Sequence, residues 1–189
     1  MATGYAKGRA KRDEILRVAL DVIAENGFRR SSLREIGERV GLTNAGVLHH
    51  FGSKEELFAE VLRVRDERSA ASSGRALDSF SEVIRRNAAV PGLAHLYASL
   101  SSDGVDPEHP AHDFFVERYR ALEEMLTTEL RDRQEAGEVH RSLDAAMLAR
   151  MLIALADGLQ VQWLFEPEFS MADHVDALLE LIRGYRPSV

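Results

Sequence analysis

The stretch "SSLREIGERVGLTNAGVLHHFGSKEEL", residues 31–57, decides the fold of this chain. Ser32, followed three residues later by Glu35, forms a capping-box signature and predicts the start of a short helix. Gly41 breaks that helix, and Thr43 is placed to cap a second short helix. Two short helices joined by a tight turn that contains glycine form the helix-turn-helix pattern.

The sequence on both sides of this stretch also has the periodicity of helices. An apolar stripe with the spacing of one helix face precedes it, and Gly27 ends that first helix. Ser53 can cap a fourth helix that starts at Lys54. Further helices are expected over residues 75–88, from Pro91 to about 100, between the loop at 101–110 and Gly137, from Ser142 to Pro167, and over 170–185. Because we find no strand-like alternation of useful length, the pattern predicts an all-α protein of about nine helices.

The charge of the chain is divided unevenly along its 189 residues. The formal net charge is −7, but residues 1–65 carry 12 Lys+Arg against 9 Asp+Glu, and residues 66–189 carry 12 against 22. A basic first part on an acidic remainder indicates that only the first part meets a polyanion. We expect a DNA-binding domain over residues 1–53, with a basic, flexible arm at 1–9, and a second helical domain over 54–189.

Several classes of protein are disfavoured by what the sequence lacks. It contains no cysteine, so disulfides and thiolate chemistry are excluded. No apolar run approaches the length of a membrane span, and the N-terminus lacks the apolar region of a signal peptide, so a cytoplasmic protein is expected. We find no nucleophile elbow and no glycine-rich phosphate loop, and therefore expect neither enzymatic activity nor a cofactor.

Residues from about 10 to 57 resemble the DNA-binding domain of TetR/AcrR-type transcriptional regulators. The resemblance is carried by the first helix ending in "AENGF", residues 24–28, and by the whole of the 31–57 stretch. Members of that family show a Ser/Thr cap, a glycine turn, a small residue early in the third helix and a Ser-Lys-Glu start to the fourth. The resemblance implies a three-helix DNA-binding domain followed by a larger helical domain for effector binding and dimerisation.

The third helix is expected to read DNA bases with its first turn. A recognition helix presents small or polar side chains there, and Thr43, Asn44, Ala45 and Gly46 are of this kind. Asn44 can make a bidentate contact to adenine, and Ala45 can meet a thymine methyl group. Gly46 allows close approach, although glycine lowers helix stability by about 1 kcal/mol relative to alanine.

The second half of this helix divides into a core face and a DNA face. Val47 and Phe51, four residues apart, are expected to face the core, so Leu48 and His49 lie toward DNA. The resemblance implies that His49 contacts the groove and that His50 contacts a phosphate or packs at the domain edge. Leu48 stands where the family commonly has a phosphate-contacting tyrosine, so any contact made here is apolar.

The remaining DNA contacts are expected on phosphates. The resemblance assigns such a contact to Lys54, at the start of the fourth helix, where side chain and helix N-terminus act together. Ser32 and Arg34, at the start of the second helix, are the other candidates. A basic arm at the start of the chain contains Lys7, Arg9, Lys11 and Arg12. This arm either reaches the DNA or is a solvated tail.

Two groups of histidines invite a metal interpretation. His49 and His50 are adjacent on a helix and point about 100° apart, so they cannot easily share one ion, and no metal site is expected there. The second group lies in the loop and comprises Asp106, His109, His112 and Asp113. The favoured interpretation is a polar connection, in which Asp106 caps a turn and His112 lies near the next helix start; a ligand entrance or a metal site are the alternatives.

The C-terminal helices are expected to form a dimer and to bind a ligand. The eighth helix is apolar on most of its circumference, which is typical of a helix buried in a core or an interface. The apolar surface of these helices and the resemblance both imply that the last two helices form the homodimer interface, where Gly158 permits close approach of neighbouring helices. The alternative is that the eighth helix is buried within one subunit. Candidate ligand-binding residues are Tyr97, Phe114, Phe115, Arg118, Tyr119, Gln160 and Trp163.

The sequence thus predicts a homodimeric transcriptional regulator of double-stranded operator DNA. A small-molecule effector of unknown identity is expected to release a repressor from its operator, as the resemblance implies. One alternative is an orphan or activating regulator without an effector. Another is an all-α enzyme or interaction module whose first helices only look like a DNA-binding domain.

Overall fold

The computed structural model describes the backbone of residues 2–71 and 75–187 and the side chains of 6–69 and 75–187. Within these ranges the chain forms nine α-helices and one 3-10 turn and contains no strand, which confirms the all-α prediction. None of the described helices is both long and apolar enough to cross a membrane. The helices are α1 (Ala2–Asn26), α2 (Leu33–Val40), α3 (Asn44–Phe51), α4 (Lys54–Ala71), α5 (Ala76–Ala88), α6 (Pro91–Asp103), α7 (His112–Glu135), α8 (Ala145–Phe165) and α9 (Met171–Gly184), and the 3-10 turn is Phe28–Arg30.

The chain packs into two compact units. The head unit consists of Met1–Arg68 and Val90–Phe114, and the body unit of Ser69–Ala89 and Phe115–Val189. The head unit therefore contains α6 and most of α4 in addition to the helix-turn-helix. The functional boundary between residues 53 and 54 stays a prediction, because compact packing does not assign a role to either segment.

The core of the head unit is built on the apolar stripe of α1. Ile15, Ala19, Val22 and Ile23 are completely buried, as their helical spacing predicts. α1 packs against α2 and α6 through this face. Burial of each large side chain of this kind stabilises the fold by about 1.5–3 kcal/mol relative to an exposed position.

The end of α1 is in close contact with the start of α6. Gly27 ends α1 with a φ of 75°, and its N–H donates to the Ile23 carbonyl at 2.9 Å. Pro91 begins α6, and a Cβ on Gly92 would overlap the Ile23 carbonyl oxygen and lie 3.1 Å from the Cα of Gly27. The two backbones are therefore too close at Gly92 for any larger side chain.

The start of α1 differs from the sequence-based prediction. The sequence predicts a flexible arm over residues 1–9, whereas α1 runs back to Ala2; residue 1 lies outside the described ranges. No proline interrupts this segment. Directly after this segment, Lys11 and Arg12 form hydrogen bonds to the carbonyl groups of Val40 and His50, which anchor α1 at that point to the rest of the head unit.

In the body unit a buried ion pair joins three elements. Arg133 on α7 donates to Glu129 at 2.9 Å and to Asp78 on α5 at 2.7 Å. The second carboxylate oxygen of Glu129 accepts from the N–H of Leu77 at 3.0 Å, and Arg183 on α9 lies 3.7 Å from Asp78. Arg133 and Glu129 are both buried, and a buried pair is tolerated only when such additional partners satisfy it.

The start of α8 lies three residues later than the sequence predicts. Asp144, rather than Ser142, is its N-cap, and the Asp144 carboxylate accepts from the N–H of Met147 at 3.0 Å. Ser142 lies in the preceding turn, where its hydroxyl is 2.8 Å from the ring nitrogen of His140. Both residue types are good N-caps, but Ser142 lies in a turn that the N–H of Leu143 closes by donating to the His140 carbonyl at 3.2 Å.

Candidate nucleic-acid interface

The turn between α2 and α3 is closed by its own backbone. The N–H of Leu42 donates to the Gly37 carbonyl at 2.8 Å, and Gly41 ends α2 in the left-handed conformation with a φ of 68°. A Cβ on Gly37 would lie 2.6 Å from the Leu42 carbonyl oxygen. Glycine at 37 is therefore needed for the chain to turn this tightly between the two helices.

The start of α2 forms half of the predicted capping box. The Ser32 hydroxyl accepts from the N–H of Glu35 at 3.2 Å. The Glu35 carboxylate turns away and accepts from Asn26 at 2.8 Å and from Arg39 at 2.9 Å. This arrangement ties α2 to the end of α1, where Arg39 also binds Glu25 at 2.7 Å and its hydrogen bond lowers the pKa of Glu25.

α3 is anchored on one face and exposed on the other. Val47 and Phe51 are buried, which confirms that these two residues face the core. Thr43 caps the helix by accepting from the N–H of Gly46 at 3.1 Å, while Asn44 and Ala45 in its first turn are exposed. The first turn of α3 therefore presents a short amide and a methyl group to solvent.

The later residues of the predicted DNA face differ in how far their side chains are exposed. His49 is exposed, whereas Leu48 and His50 are half-buried. The rings of His49 and His50 meet edge to face with their centroids 5.8 Å apart, and the carbonyl of His50 accepts from Arg12 at 2.7 Å. Of these three side chains, His49 thus has the most surface to offer to a groove.

The three phosphate-contact candidates lie at the starts of two helices. Ser32 is exposed but uses its hydroxyl as the α2 cap. Arg34 is exposed and donates to Glu38 at 2.9 Å, and this hydrogen bond raises the pKa of Arg34. Lys54, in the first turn of α4, places its ammonium group 5.2 Å from the centre of the Phe58 ring. The cap of α4 is Ser53, as predicted, because its hydroxyl accepts from the N–H of Glu56 at 3.0 Å.

The four basic residues assigned to an arm fall into two pairs. Lys7 and Arg9 are exposed on α1. Lys11 and Arg12 are half-buried and form hydrogen bonds within the head unit, so they are not part of a free arm. Sequence reasoning missed these contacts because they span 29 and 38 residues. The Arg34–Glu38 pair was also missed, although its i,i+4 spacing is a recognisable signal.

The acid and histidine cluster before α7 forms a hydrogen-bonded connection. Asp106 accepts from the N–H of Glu108 at 3.0 Å, and the ring of His109 accepts from the N–H of Ala111 at 3.2 Å. The ring of His112, the first residue of α7, lies 2.9 Å from the Gly104 carbonyl. These bonds match the predicted polar connection. In the described part of the chain, no group of three His, Asp or Glu side chains is arranged to hold a metal ion.

Large apolar side chains are exposed on both α8 and α9 of the body unit. We call this set of residues the apolar stripe; its members are Met147, Met151, Val161 and Phe165 on α8 and Leu181 on α9. The α8 residues recur with helical spacing, and Phe165 and Leu181 are 83% and 72% exposed. Next to the stripe is an open cavity of about 340 Å³ lined by Leu159, Gln162, Phe165, Glu166, Phe169 and His174. Among the described residues nothing lies within 4 Å of a Cβ built on Gly158.

The candidate ligand-binding residues divide between the two units. In the head unit, Tyr97 and Phe114 are buried. In the body unit, Phe115, Gln160 and Trp163 are buried, and Arg118 and Tyr119 are half-buried. Tyr119 donates to the Asp157 carboxylate at 2.7 Å, and its ring centroid is 6.2 Å from that of Phe115. Asp157, which sequence reasoning did not single out, belongs with these aromatic residues.

The helix-turn-helix places this protein in the class of DNA-binding transcription regulators, and comparison with known proteins identifies its family. Residues 15–61 match the model for bacterial regulatory proteins of the tetR family, and residues 108–184 match the model for the C-terminal part of BetI-type transcriptional repressors. Together the two models match more than half of the chain, and the chain belongs to the TetR family.

Individual relatives agree with this assignment. The HTH-type transcriptional regulator UidR of Escherichia coli (strain K12) is 25% identical over 155 residues, which cover 78% of this chain and 78% of UidR. A TetR-family regulator from a Rhodococcus species shares the fold with a TM-score of 0.69 at 22% identity, covering 92% of this chain and 98% of that one. A transcriptional regulator from Saccharomonospora viridis in complex with choline has a TM-score of 0.65 at 26% identity, with coverage of 92% and 95%.

Proposed function

We propose that the protein is a ligand-responsive repressor that binds operator DNA as a homodimer. The observation that carries this proposal is α3, in which Asn44 and Ala45 are exposed while Val47 and Phe51 anchor the helix in the head unit. Such a helix can enter a major groove with its first turn toward the base edges. Two heads, one from each protomer, then read the half-sites of a palindromic operator in successive major grooves.

Different residues would supply specificity and general affinity. Base contacts come from the first turn of α3 and from His49, with Leu48 adding an apolar contact. Phosphate contacts come from Lys54 and Arg34, with Ser32 and His50 at the edge of the interface. Phosphate contacts position a protein on the duplex, whereas base contacts select the sequence.

The apolar stripe supports homodimerisation through α8 and α9. Large apolar side chains that are exposed together on one face commonly mark an interaction site. A four-helix bundle formed by α8 and α9 of two protomers would bury this stripe, and Gly158 would allow close approach of the partner helix. Membership of the TetR family supports the same arrangement.

An effector is proposed to bind in the C-terminal domain and to weaken DNA binding by changing the spacing of the two heads. A coupling free energy of about 1–3 kcal/mol is enough for such a response. Thermal-shift measurements against a broad metabolite panel test this step, and choline is a reasonable first probe because the Saccharomonospora viridis regulator holds it. A complete absence of stabilising compounds would favour the alternative, a regulator without a small-molecule effector.

Selection of bound fragments from the source genome tests DNA recognition directly. We expect enrichment of a palindromic site and an affinity for it well above that for random duplex at near-physiological salt. A reporter gene placed behind the enriched site should be repressed by the protein and released by any effector found. Equal affinity for the enriched site and for random duplex would contradict the proposed function.

A further inference from the structure

We infer that Lys11 and Arg12 are positioning residues of the helix-turn-helix, which place α2 and α3 for operator binding without contacting DNA. The inference rests on the proposed function, because it concerns how the recognition helix is held. Its basis is that two adjacent cations on α1 bind the C-terminal carbonyl groups of two different helices. Adjacent residues on a helix point about 100° apart, which allows one to reach α2 and the other to reach α3.

Lys11 binds the end of α2. Its ammonium group donates to the carbonyl of Val40, the last residue of α2, at 2.8 Å, and to the Glu14 carboxylate at 2.8 Å. The last carbonyl groups of a helix have no partner within the helix and carry partial negative charge. A lysine at this point therefore satisfies one such carbonyl and fixes the end of α2 against α1.

Arg12 binds the end of α3 and reaches α4 as well. One guanidinium nitrogen donates to the His50 carbonyl at 2.7 Å, and another lies 3.1 Å from the Glu60 carboxylate on α4. The guanidinium carbon is 4.2 Å from the centre of the Phe51 ring, within the range of a cation–π contact. Arg12 therefore holds together the last turn of α3, the apolar anchor of that turn and the helix that follows.

These contacts matter for α3 because the helix is short. It has eight residues, and an isolated helix of that length is not stable in water. The buried side chains of Val47 and Phe51 pack α3 against the core of the head unit, while Arg12 binds its C-terminal end. A loosened C-terminal end would tilt the first turn of α3, where the base contacts are proposed.

The geometry also argues against a direct role in DNA binding. The side chains of Lys11 and Arg12 are only 32% and 35% exposed, and each ion-pairs with a carboxylate, Glu14 and Glu60 respectively. Lys7, Arg9 and Arg17, by contrast, are exposed on the same helix. A phosphate contact by Lys11 or Arg12 would compete with the carbonyl and the carboxylate that each side chain already binds.

Operator binding by Arg12→Met, with Arg17→Met as the charge-matched control, tests the inference. Hydrogen bonds to charged groups are strong enough that we expect about a tenfold or larger loss of operator affinity for Arg12→Met. The slope of log affinity against log salt concentration should stay at the wild-type value, because no phosphate contact is lost. Affinity for random duplex should fall no further than it does for Arg17→Met. Lys54→Ala provides the comparison for a phosphate contact, with a slope reduced by about 1.

Two further variants keep the test decisive if Arg12→Met unfolds. Arg12→Lys keeps the charge but cannot reach the His50 carbonyl and Glu60 together, so it should lose part of the operator affinity at an unchanged slope. Lys11→Met, compared with Lys7→Met, should behave in the same way through α2. All variants are measured at a temperature at which circular dichroism shows them folded.

Two outcomes would overturn the inference while leaving the proposed function intact. The first is a salt slope reduced by about 1 in Arg12→Met, which would make Arg12 a phosphate ligand. The second is unchanged operator affinity in the folded variants, which would reduce the contacts to a role in stability alone. If the wild-type protein itself does not distinguish its operator from random duplex, the proposed function fails and this inference fails with it.

Discussion

Asn44 and Lys54 represent the two kinds of DNA contact that the proposed interface contains. Asn44 is exposed in the first turn of α3, and Lys54 lies in the first turn of α4. Asn44→Ala should lower affinity by about 1–3 kcal/mol on the correct operator and leave random duplex unaffected. Lys54→Ala should weaken both duplexes alike and lower the salt slope by about 1. Titrations of both variants on both duplexes at several salt concentrations measure this, and exchanged outcomes would reverse the two assigned roles.

Gly46 offers a test in which stability and DNA binding move in opposite directions. A Cβ at this position would meet the Leu42 Cβ at 3.4 Å and the Thr43 hydroxyl oxygen at 3.5 Å, so alanine fits. Gly46→Ala should raise the free energy of unfolding by up to about 1 kcal/mol through helix propensity, yet weaken operator binding by adding a methyl group to the DNA face.

The control for this prediction is Gly37→Ala, which should destabilise the protein because its Cβ would lie 2.6 Å from a backbone oxygen. Urea denaturation and operator titration of the two variants provide the comparison. Normal operator affinity in a stabilised Gly46→Ala protein would show that close approach at this position is not required.

Glu38 would compete with phosphate for Arg34, one of the proposed phosphate contacts. The two side chains form an exposed ion pair at 2.9 Å, and solvent screening keeps such exposed pairs weak. Glu38→Gln should therefore raise affinity for any duplex by up to about fivefold, since Arg34 no longer leaves a carboxylate in order to bind DNA. Asp21→Asn, at an exposed acid on α1, controls for the change in net charge. Equal gains in the two variants would assign the effect to net charge alone.

At the scale of elements, the ion pairs between α5 and α7 predict how stability depends on pH. The hydrogen bond from Arg133 lowers the pKa of Asp78 below its ordinary value of 3.8. A carboxyl group with a lowered pKa in the folded state stabilises the fold above the unfolded-state value and loses that contribution as the pH falls through the folded-state value. The free energy of unfolding should therefore decline at pH values below about 3.8, and Asp78→Asn should remove part of that decline.

Urea denaturation of wild type and Asp78→Asn, from near-neutral pH down to about pH 3, measures the difference. The stability gap between the two proteins should be largest near neutral pH and should shrink in acid. Asp132→Asn, at an exposed acid on α7, serves as the control for loss of a carboxylate. A gap that stays constant over the whole range would mean that the Arg133 contact does not depend on the charge of Asp78.

Helix positions were largely predictable because their start and stop signals are local. Ser32, Thr43, Ser53 and Ser170 each cap the helix that follows, within three residues of the N–H that they bind. The start of α8 was misplaced because Ser142 and Leu143 belong to a turn in which the N–H of Leu143 donates to the His140 carbonyl at 3.2 Å. The length of α1 was underestimated because the apolar stripe that predicted this helix begins only at Ile15.

The candidate site was predictable only in part, because some of its residues are positioned by contacts that are distant in sequence. The exposed first turn of α3 follows from the spacing of Val47 and Phe51, which is a local pattern. The roles of Lys11 and Arg12 depend on carbonyl groups 29 and 38 residues away, which sequence spacing does not reveal. Basic composition near an N-terminus therefore suggested a DNA contact where the structure has intramolecular bonds.

At the scale of the whole molecule, the apolar stripe predicts that association depends on α8 and α9. Phe165→Glu combined with Leu181→Glu should convert the proposed dimer to a monomer, because two charges would enter the buried interface. Sedimentation or light scattering gives the mass, and circular dichroism checks the fold. Val105→Glu, at a 76% exposed position between α6 and α7, should leave the mass unchanged. A monomeric wild-type protein would contradict the proposed dimer, and a dimer that survives both charges would place its interface elsewhere.

The backbone contact at Gly92 has a consequence for sequence libraries of this protein. In a library selected for operator binding, position 92 should return only glycine, because any side chain would overlap the end of α1. Intolerance at this position would then resemble that of a DNA-reading residue, although its cause is packing. A parallel selection for folded protein alone separates the two: position 92 should be depleted of substitutions in both selections, and Asn44 only in the selection for binding.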